Sequence, residues 1–351
     1  MGLNPLFWEG KRVLVTGHTG FKGAWLTFLL KDLGAEVIGL SLSVGAQQSL
    51  YITGRSHELL LSESFQDIRC KDSVEKVLQE VKPDYVFHLA AQAYVRRSYR
   101  DPLESITTNV TGTANVLFSS LAQKNVQGVI VATTDKVYQN HAETKPFIES
   151  DKLGGKDPYS ASKAAAEIVV SSIALASNPH AIPVTTVRAG NVIGGGDWGE
   201  DRLVPDLVRA LQSNKPLCIR NPLATRPWQH VLDCLHGYLL VAQLHLEKSV
   251  DFPKSVNFGP NDSLSVNDLV EMFEEAFQQK ILREIVNSNI PENTWLALDS
   301  SLAHNLVNWK PTFSQASAVS QTASWYSRFA NGEDARELIQ TEISRFKVGK
   351  W

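Results

Sequence analysis

The amino-acid sequence predicts an α/β protein with a doubly wound parallel sheet, followed by a smaller C-terminal α/β domain. Two observations carry this prediction. Residues 13–16 have strand character, glycines follow at positions 17, 20 and 23, and an apolar helical run begins at Ala24. Strands and helical segments then alternate over about the first 190 residues, the order that a parallel sheet with helices on both faces requires. Strand, Gly-rich turn and helix in this order are typical of the Rossmann-type fold.

The composition is that of an ordinary globular protein. The 351 residues fit one large or two smaller domains, and 43% hydrophobic and 20% charged residues are unexceptional. A net charge of −3 gives no reason to expect a nucleic-acid or membrane-surface partner. Cys70, Cys218 and Cys234 form no metal or disulfide pattern, which fits a reducing cytoplasm. No signal peptide or membrane span is recognisable, so we expect a soluble, cytoplasmic protein.

The first Gly-rich turn is predicted to bind a dinucleotide through Gly17, His18, Thr19, Gly20, Phe21, Lys22 and Gly23. Glycine allows the backbone to turn tightly and to approach a pyrophosphate closely. The charge of the pyrophosphate then lies on the free N–H groups and the positive end of the following helix. The spacing is G-x-x-G-x-x-G rather than G-x-G-x-x-G, so the prediction depends on the correct strand and helix on either side.

The segment 36–42 is predicted to form the second strand of the sheet. Many NAD-binding folds carry an acidic residue near the end of this strand, where it holds the adenosine ribose. This strand ends in Gly-Leu-Ser-Leu and has no acid there. NAD is the predicted cofactor, but NADP stays open because His18 and Lys22 can tolerate a 2′-phosphate.

Two further segments are predicted to border the cofactor. Asp67 and Ile68 are expected beside the adenine, with an ordinary strand-end carboxylate as the alternative for Asp67. The strand predicted within 84–92 ends in Leu89, Ala90 and Ala91. Small side chains at this point let a cofactor lie across the edge of the sheet.

The later segments continue the alternation and then lose it. The predicted elements are a helix over 103–124 that begins after Asp101-Pro102, a buried strand over 128–133, a polar loop over 145–156, a long helix that Asp157 and Pro158 begin, and a strand over 183–188. Beyond Gly190, glycines, prolines and short elements indicate a smaller domain that supplies a substrate lid. The predicted NAD-binding domain spans 1–188 and regains about 228–250, and the substrate-binding domain spans mainly 189–351.

Tyr159 and Lys163 are four residues apart on a predicted helix and therefore lie on one face. Tyrosine has an ordinary pKa of about 10 and is a poor base. A neighbouring ammonium group and a positively charged nicotinamide favour the phenolate and lower that pKa. The phenolate can then take the proton of a sugar hydroxyl, and the lysine can bond the nicotinamide ribose. An ordinary surface pair is the alternative, but the preceding nucleotide-binding turn favours the catalytic interpretation.

Thr134, Asp135 and Lys136 follow a predicted central strand, where open α/β sheets place their ligands. Thr134 can hydrogen-bond the reacting oxygen. An acid beside a base suits an elimination, in which one group takes a proton from carbon and the other protonates a departing hydroxyl. A turn with a solvated ion pair is the alternative.

Five motifs together resemble the CDP-glucose 4,6-dehydratases, a family of extended short-chain dehydrogenase/reductases. They are Gly-His-Thr-Gly-Phe-Lys-Gly at 17–23, Thr-Asp-Lys at 134–136, Tyr-x-x-x-Lys at 159–163, Ala-Gly-Asn-Val-Ile-Gly-Gly-Gly-Asp-Trp at 189–198 and Ile-Arg-Asn-Pro-Leu-Ala-Thr-Arg-Pro-Trp-Gln-His-Val at 219–231. The Thr-Asp-Lys triplet is specific, because dTDP-glucose dehydratases carry Thr-Asp-Glu there and plain 4-epimerases lack the acid/base pair. The resemblance extends from the first strand to residues 322–326.

The resemblance implies a redox-neutral dehydration of a CDP-hexose, with NAD recycled during the reaction. Tyr159 is expected to take the 4-hydroxyl proton, in a catalytic set with Thr134 and Lys163. Lys136 is expected to remove the C5 proton and Asp135 to protonate the leaving 6-hydroxyl, although the opposite assignment stays open. The resemblance also implies a homodimer through the helices at 103–124 and 159–176, and it implies no metal.

The family pattern also implies substrate contacts by Asn191, Arg202, Arg220, Arg226 and His230, since guanidinium groups suit a diphosphate. A structural salt bridge is the alternative for each arginine. The sequence departs from the pattern at 141–150, where a Trp-x-Trp-Gly-Tyr-Arg-Glu segment is usual, and at 293–299, where His-Glu-Ala is usual. Another nucleotide or hexose therefore stays open.

Two rival functions share the predicted fold. A nucleotide-sugar 4-epimerase would use Tyr159 and Lys163 without loss of water, and it would leave Asp135 and Lys136 without a role. A catalytically silent NAD-binding scaffold is the other rival. Such proteins typically lose the tyrosine or the lysine, and this chain keeps both.

Overall fold

A seven-stranded parallel sheet forms the centre of the protein. The computed structural model describes residues 2–45, 48–140, 145–247, 252–260, 262–287 and 294–347. In sheet order the seven strands are β3 (Ser62–Phe65), β2 (Glu36–Ser41), β1 (Arg12–Thr16), β4 (Tyr85–His88), β5 (Val129–Ala132), β6 (Val184–Ala189) and β11 (Ser255–Phe258). The predicted fold class is confirmed, because this is the strand order of a doubly wound sheet with one further strand at its edge.

Thirteen α-helices surround the sheet in the described part of the chain. They are α1 (Phe21–Asp32), α2 (Leu50–Thr53), α3 (Lys71–Val81), α4 (Val95–Arg100), α5 (Pro102–Ile106), α6 (Thr113–Leu121), α7 (Pro158–Ala176), α8 (Leu203–Ser213), α9 (Val231–Leu246), α10 (Val266–Phe277), α11 (Ser301–Val307), α12 (Gln315–Ala330) and α13 (Ala335–Lys347). Three 3₁₀ turns are found at Pro5–Phe7, Ser56–Leu59 and Asp135–Val137. The six short strands that remain form two-stranded pairs: β7 (Val192–Ile193) with β10 (Gln229–His230), β9 (Thr225–Arg226) with β12 (Leu264–Ser265), and β8 (Leu217–Ile219) with β13 (Arg283–Ile285).

Successive residues of β1 point into two different hydrophobic cores. Val13 and Val15 belong to the larger core, which the buried side chains of α1 and α9 complete. Leu14 belongs to the second core, with residues of α3, α6 and α7. This alternation follows from the period of two along a strand, and because both faces are covered the strand is apolar throughout. The sheet therefore carries a layer of helices on each of its faces.

The helix predicted over 103–124 has an interruption. Asp101 caps α5 by accepting a hydrogen bond from Glu104 N, with Pro102 in the first turn, as predicted. A π-helical turn, Thr107–Gly112, then joins α5 to α6, which ends at Leu121. Such turns insert a residue into a helix and are frequent at functional sites.

The segment beyond Gly190 contributes to the central sheet in two ways. The helix α9 packs against α1, β5 and β6. It lies within residues 228–250, which the sequence prediction assigned to the NAD-binding domain. The strand β11 pairs with β6 outside that predicted region, and the sequence prediction did not include it. The domain boundaries themselves stay a prediction.

Candidate active site

The Gly-rich turn lies at the carboxyl end of β1, beside the end of β4. Gly17 has a φ of +76°, and its N–H donates to Leu40 O at 2.7 Å. A Cβ at Gly17 would lie 2.7 Å from Ala90 N, and a Cβ at Gly23 would collide with the carbonyl oxygen of Gly17. Only glycine fits these two positions, because the first combines a positive φ with a close approach and the second adjoins backbone.

The turn fits the pyrophosphate of a dinucleotide. Gly20 is the N-cap of α1 and supplies no side-chain hydrogen bond to the first helical turn. The first N–H groups of α1 are therefore left for an anion at the positive end of the helix. The crevice between β1 and β4 lies where the strand order reverses, which is the usual ligand position in such sheets.

A buried histidine supports the second wall of this crevice. His88, the last residue of β4, bonds Thr16 Oγ1 at 2.7 Å and Thr113 Oγ1 at 2.9 Å. Burial, with a contribution from the charge of Lys163, lowers the pKa of His88 to about 3. Ala90 N donates to the same Thr16 hydroxyl at 3.2 Å. The predicted cofactor-contacting segment Leu89–Ala91 is thus fixed to β1 by hydrogen bonds from a neutral network.

The structure argues against the predicted tolerance of a 2′-phosphate by His18 and Lys22. His18 is fully buried, and its Nε2 lies 3.1 Å from Glu63 Oε2. Burial is the largest influence and lowers the pKa of His18 despite this carboxylate, so the ring offers no exposed cation. Lys22 Nζ lies 3.4 Å from Tyr238 OH, and the charge of Lys22 acts on Lys163.

Hydroxyl groups occupy the end of β2 in place of an acid. Thr19 Oγ1 and Ser41 Oγ share a hydrogen bond of 2.7 Å. The nearby acid is Glu63 on β3, which accepts hydrogen bonds from Tyr51 OH at 2.9 and 3.1 Å. Nothing in the sequence around Glu63 signalled this position, because it depends on strand pairing with β2.

Asp67 and Ile68 follow β3 at the edge of the crevice. Asp67 accepts two hydrogen bonds from Arg69 Nε, at 2.9 and 3.0 Å, and one from Nη2 at 2.6 Å. Ile68 is buried, and its carbonyl oxygen accepts from Asn115 Nδ2 at 2.9 Å. Their contact with an adenine stays a prediction.

Tyr159 and Lys163 lie buried on α7, which packs against the turn Asp135–Val137 that follows β5. Asp157 caps this helix as predicted, accepting from Ser160 N at 2.9 Å. Burial raises the pKa of Tyr159 to about 12, although a hydrogen bond with Thr134 opposes the rise. Lys163 Nζ donates to Ala132 O at 2.9 Å. Burial, assisted by the charge of Lys22, lowers the pKa of Lys163 to about 8. In the polypeptide alone, the lysine therefore does not bring the tyrosine pKa towards neutrality.

The three residues after β5 form a 3₁₀ turn beside this pair. Thr134 Oγ1 accepts from Lys136 N at 3.4 Å and donates to Asp135 Oδ1 at 3.0 Å. The Asp135 carboxyl is buried, and its Oδ2 has no hydrogen-bond partner among the described residues. Burial raises the pKa of Asp135, while Lys136 opposes the rise. A rise of the carboxyl pKa is the direction that a general acid needs.

Polar residues that the sequence did not single out hold Tyr159 in place. Ser98 Oγ on α4 accepts from Tyr159 N at 3.1 Å. Asn109, in the π-helical turn, donates to Gln92 O at 2.9 Å and to Ser162 Oγ at 2.8 Å. Ser162 in turn donates to Tyr159 O at 2.7 Å. The loop after β4, the π-helical turn and α7 are thus one hydrogen-bonded unit.

The three predicted arginines lie in different environments. Arg202 pairs with Asp197 Oδ2 at 3.0 Å, as the salt-bridge alternative proposed, yet its charge also acts on Tyr159. Arg220 lies 3.7 Å from Asp201 Oδ1. Arg226 is buried, donates to Thr225 O at 2.8 Å, and its charge acts on Asp135.

Asn191 and His230 differ in their access to this site. Asn191 is partly exposed after β6, and its carbonyl oxygen accepts from Gln229 N at 2.9 Å. His230 is fully buried as the N-cap of α9, where Nδ1 accepts from Leu232 N at 3.3 Å. Its ring packs edge-on against Phe313, with centroids 4.8 Å apart. The structure therefore argues against a substrate contact by His230.

The comparisons with known proteins agree with this geometry. The model of the NAD dependent epimerase/dehydratase family matches residues 13–259. The chain is 39% identical to the CDP-glucose 4,6-dehydratase of Salmonella typhimurium, over 97% of each chain. The chain belongs to the NAD dependent epimerase/dehydratase family. These comparisons confirm the resemblance that the motifs indicate and the predicted dependence on NAD. The protein is an enzyme of the NAD-dependent dehydratase kind.

More distant family members extend the similarity. The dTDP-D-glucose 4,6-dehydratase of Homo sapiens is 27% identical over 94% of each chain. A UDP-glucuronic acid 4-epimerase from Bacillus cereus, solved with UDP-glucuronic acid and NAD, is 25% identical. It superposes with a TM-score of 0.77 over 91% of this chain and 99% of its own. Epimerase Mth375 from Methanothermobacter thermautotrophicus shares the fold, with 22% identity, a TM-score of 0.80 and 96% of each chain covered.

Two expected absences concern metals and membranes. Within the described ranges, no group of three or more histidine, cysteine, aspartate and glutamate side chains is arranged to hold a metal ion. No helix in the same ranges has the length and apolar character needed to cross a bilayer.

Proposed function

We propose that the protein is a CDP-glucose 4,6-dehydratase, a hydro-lyase that yields CDP-4-keto-6-deoxyglucose. The observation that carries the proposal is the buried Asp135, whose pKa burial raises, beside Lys136 in the turn that adjoins Tyr159. A 4-epimerase needs no second acid and base. The 39% identity with the Salmonella typhimurium CDP-glucose 4,6-dehydratase supports the same reaction and the same nucleotide.

The residues of the chain divide the proton transfers between them. NAD, when bound, would accept a hydride from C4 and return it to C6. Gly17, Gly20 and Gly23 would hold its pyrophosphate, and Lys163 its nicotinamide ribose. Tyr159 would take the proton of the 4-hydroxyl group once the positive charge of a bound nicotinamide offsets the burial that raises the tyrosine pKa, and Thr134 would hydrogen-bond the same oxygen.

Asp135 and Lys136 then remove water from the 4-keto sugar. The ketone acidifies the C5 proton, which Lys136 takes, while Asp135 gives a proton to the departing 6-hydroxyl. The raised pKa of Asp135 supports this assignment, because a general acid must hold its proton at the working pH. Arg202, Arg220 and Arg226 would bind the diphosphate, together with Asn191.

The protein is also proposed to act as a cytoplasmic homodimer. The outer faces of the helices between residues 102 and 176 carry exposed apolar side chains, including Leu103 (71% exposed), Ile168 (60%) and Leu175 (86%). A second copy would cover these side chains in a bundle of helices. All three cysteines are free, which supports a reducing compartment.

The test is to incubate the protein with CDP-glucose and NAD in D₂O and to analyse the product by mass spectrometry and NMR. The proposal predicts loss of one water with deuterium at C5. An inverted C4 without loss of water would establish a 4-epimerase. Turnover of a UDP-, GDP- or dTDP-hexose alone would move the proposal to another nucleotide, and NAD binding without turnover of any of them would favour a scaffold.

A further inference from the structure

A buried ion pair lies directly behind the catalytic turn. Arg188 on β6 and Glu167 on α7 form two parallel hydrogen bonds, Nε to Oε1 at 3.0 Å and Nη2 to Oε2 at 2.9 Å. The Thr133 hydroxyl donates to Oε1 at 2.5 Å and the Thr186 hydroxyl to Oε2 at 2.6 Å. Four donors therefore surround one carboxylate, which is the condition under which a buried ion pair is well compensated.

The remaining guanidinium nitrogen of Arg188 points away from Glu167, towards a surface loop. Its Nη1 donates to Tyr138 OH and to Glu149 O, both at 2.9 Å. The Tyr138 hydroxyl in turn donates to Asn257 Oδ1 at 2.6 Å. The Tyr138 ring stacks on Phe147, with centroids 4.8 Å apart and planes 2° from parallel. One arginine thus joins the interior of the sheet to this loop.

Residues 145–149 and 294–299 pack together; we call them the outer wall. Phe147 N donates to Ala297 O at 3.0 Å, and Asp299 N donates to Phe147 O at 2.9 Å. Asn257 Nδ2 holds both strips, donating to Phe147 O at 2.9 Å and to Asp299 O at 3.2 Å. These strips come from the two segments in which the sequence departs from the family pattern, although residues 141–144 and 293 lie outside the described part.

The outer wall is connected to the segments that carry the catalytic residues. The loop that contains residues 145–149 leaves the catalytic turn at Tyr138, two positions after Lys136. It returns at Leu153, which forms a β-bridge with Tyr138, and Tyr159 follows shortly afterwards. On the other strip, Thr294 O accepts from Thr225 N at 2.9 Å, next to Arg226, whose charge acts on Asp135. We therefore expect the outer wall to lie at the hexose end of the site rather than at the adenosine end.

We propose that Arg188 and Tyr138 are positioning residues that fix the outer wall against the hexose, and that this wall determines which hexose is accepted. The inference rests on the proposed function, because it takes a nucleotide sugar as the substrate. Neither residue needs to touch the substrate. The two altered segments act as one unit, since Asn257 and the bonds of Phe147 hold them together.

The test uses Tyr138→Phe, which removes one hydroxyl and keeps the stacked ring. Replacing Arg188 would leave the Glu167 charge buried without its partner and could unfold the chain. The matched control is Tyr85→Phe, which removes a buried tyrosine hydroxyl bonded to His245 Nδ1 at 2.7 Å, on the strand β4. Tyr85 begins β4 and lies at the edge of the sheet opposite to the site.

For Tyr138→Phe we expect KM for the nucleotide sugar to rise about tenfold, because an outer wall that has lost this hydrogen bond must be ordered when the sugar binds. Discrimination between glucose and other hexoses on the same nucleotide should fall, while kcat changes less than about threefold and the Kd for NAD stays constant. Tyr85→Phe should change none of these quantities. Backbone hydrogen exchange at residues 147–149 and 297–299 should be faster in Tyr138→Phe than in the wild type, and it should be unchanged in Tyr85→Phe.

Unchanged KM and hexose discrimination in Tyr138→Phe would overturn the inference, as would equal changes in the two variants. An altered Kd for NAD would also overturn it, because the effect would then be a general disturbance of the fold. The wild-type assay keeps the two proposals apart. If the wild type turns over no nucleotide sugar, the proposed function fails, and unchanged exchange at the outer wall would then refute the positioning role by itself.

Discussion

Asp135→Asn is the substitution that separates the two proton transfers of the proposed elimination. Asparagine has the shape of aspartate, and its carbonyl oxygen can still accept the Thr134 hydroxyl that lies 3.0 Å from Oδ1. Its amide nitrogen takes the place of Oδ2, which has no partner among the described residues. Asparagine has no proton of suitable acidity to give to the leaving 6-hydroxyl.

The expected loss follows from the role of a general acid. Removal of such a group costs a factor of about 10² to 10⁴ in kcat, which corresponds to about 3–5 kcal/mol of barrier. An unpaired buried amide costs about 1–3 kcal/mol of folding free energy. Loss of a carboxyl whose charged form is disfavoured by burial offsets part of that cost at neutral pH. We therefore expect a folded protein with an unchanged Kd for NAD.

Two measurements identify the blocked step. With substrate and NAD, Asp135→Asn should still produce the absorbance of reduced nicotinamide, and in D₂O it should still exchange the C5 proton, but it should release almost no dehydrated sugar. Asp84→Asn is the control, because Asp84 accepts from Arg12 N at 2.8 Å at the opposite edge of the sheet. Loss of C5 exchange in Asp135→Asn would reverse the assignment of acid and base. Water loss at the wild-type rate would remove Asp135 from the mechanism.

Three further predictions concern the cofactor, pH and assembly. Gly17→Ala should weaken NAD binding, measured by titration, more than about tenfold. Gly10→Ala is the control, because Gly10 also has a positive φ but a Cβ there would have no atom within 4 Å. Equal affinities of the two variants for NAD would contradict the close-approach argument. Burial lowers the pKa of Lys163 from 10.5 to about 8. Between these two pH values the unfolded chain binds more protons than the folded chain, so the free energy of unfolding rises with pH there. The rise amounts to at most about 3 kcal/mol, and urea unfolding of Lys163→Met should not show it. The same pH profile in Lys163→Met and the wild type would refute this prediction. Ile168→Glu should convert a dimer to a monomer in sedimentation while Leu6→Glu, also at an exposed site, should not; a dimer that survives both would exclude this face.

The features that the sequence predicted well depend on neighbouring residues. The Gly-rich turn and the caps by Asp101 and Asp157 are each determined within a few positions, so local patterns suffice for them. The pairing of Tyr159 with Lys163 follows from the helical period alone. These local features identified the fold class and the nucleotide-binding end of the sheet.

The features that the sequence did not predict depend on contacts between distant segments. Ser98 lies 61 positions from Tyr159 and Glu63 lies 45 positions from His18, and only the topology brings them together. Nothing in the sequence indicates that Arg188 on β6 and Glu167 on α7 pair with each other, because the pair forms only when α7 packs on the sheet. His230 is the opposite case, because it lies within a predicted substrate motif in the sequence while the structure buries its ring as the N-cap of α9.

The glycine in the middle of β2 links the strand to the Gly-rich turn. A Cβ at Gly39 would lie 2.7 Å from three carbon atoms of the His18 ring, so the imidazole occupies the space that any other residue would need. Glycine weakens a strand interior by about 0.5–1 kcal/mol. The two positions should therefore vary together among relatives: chains with histidine in the turn keep glycine in the strand, and chains with a small residue in the turn are free to carry valine or alanine there.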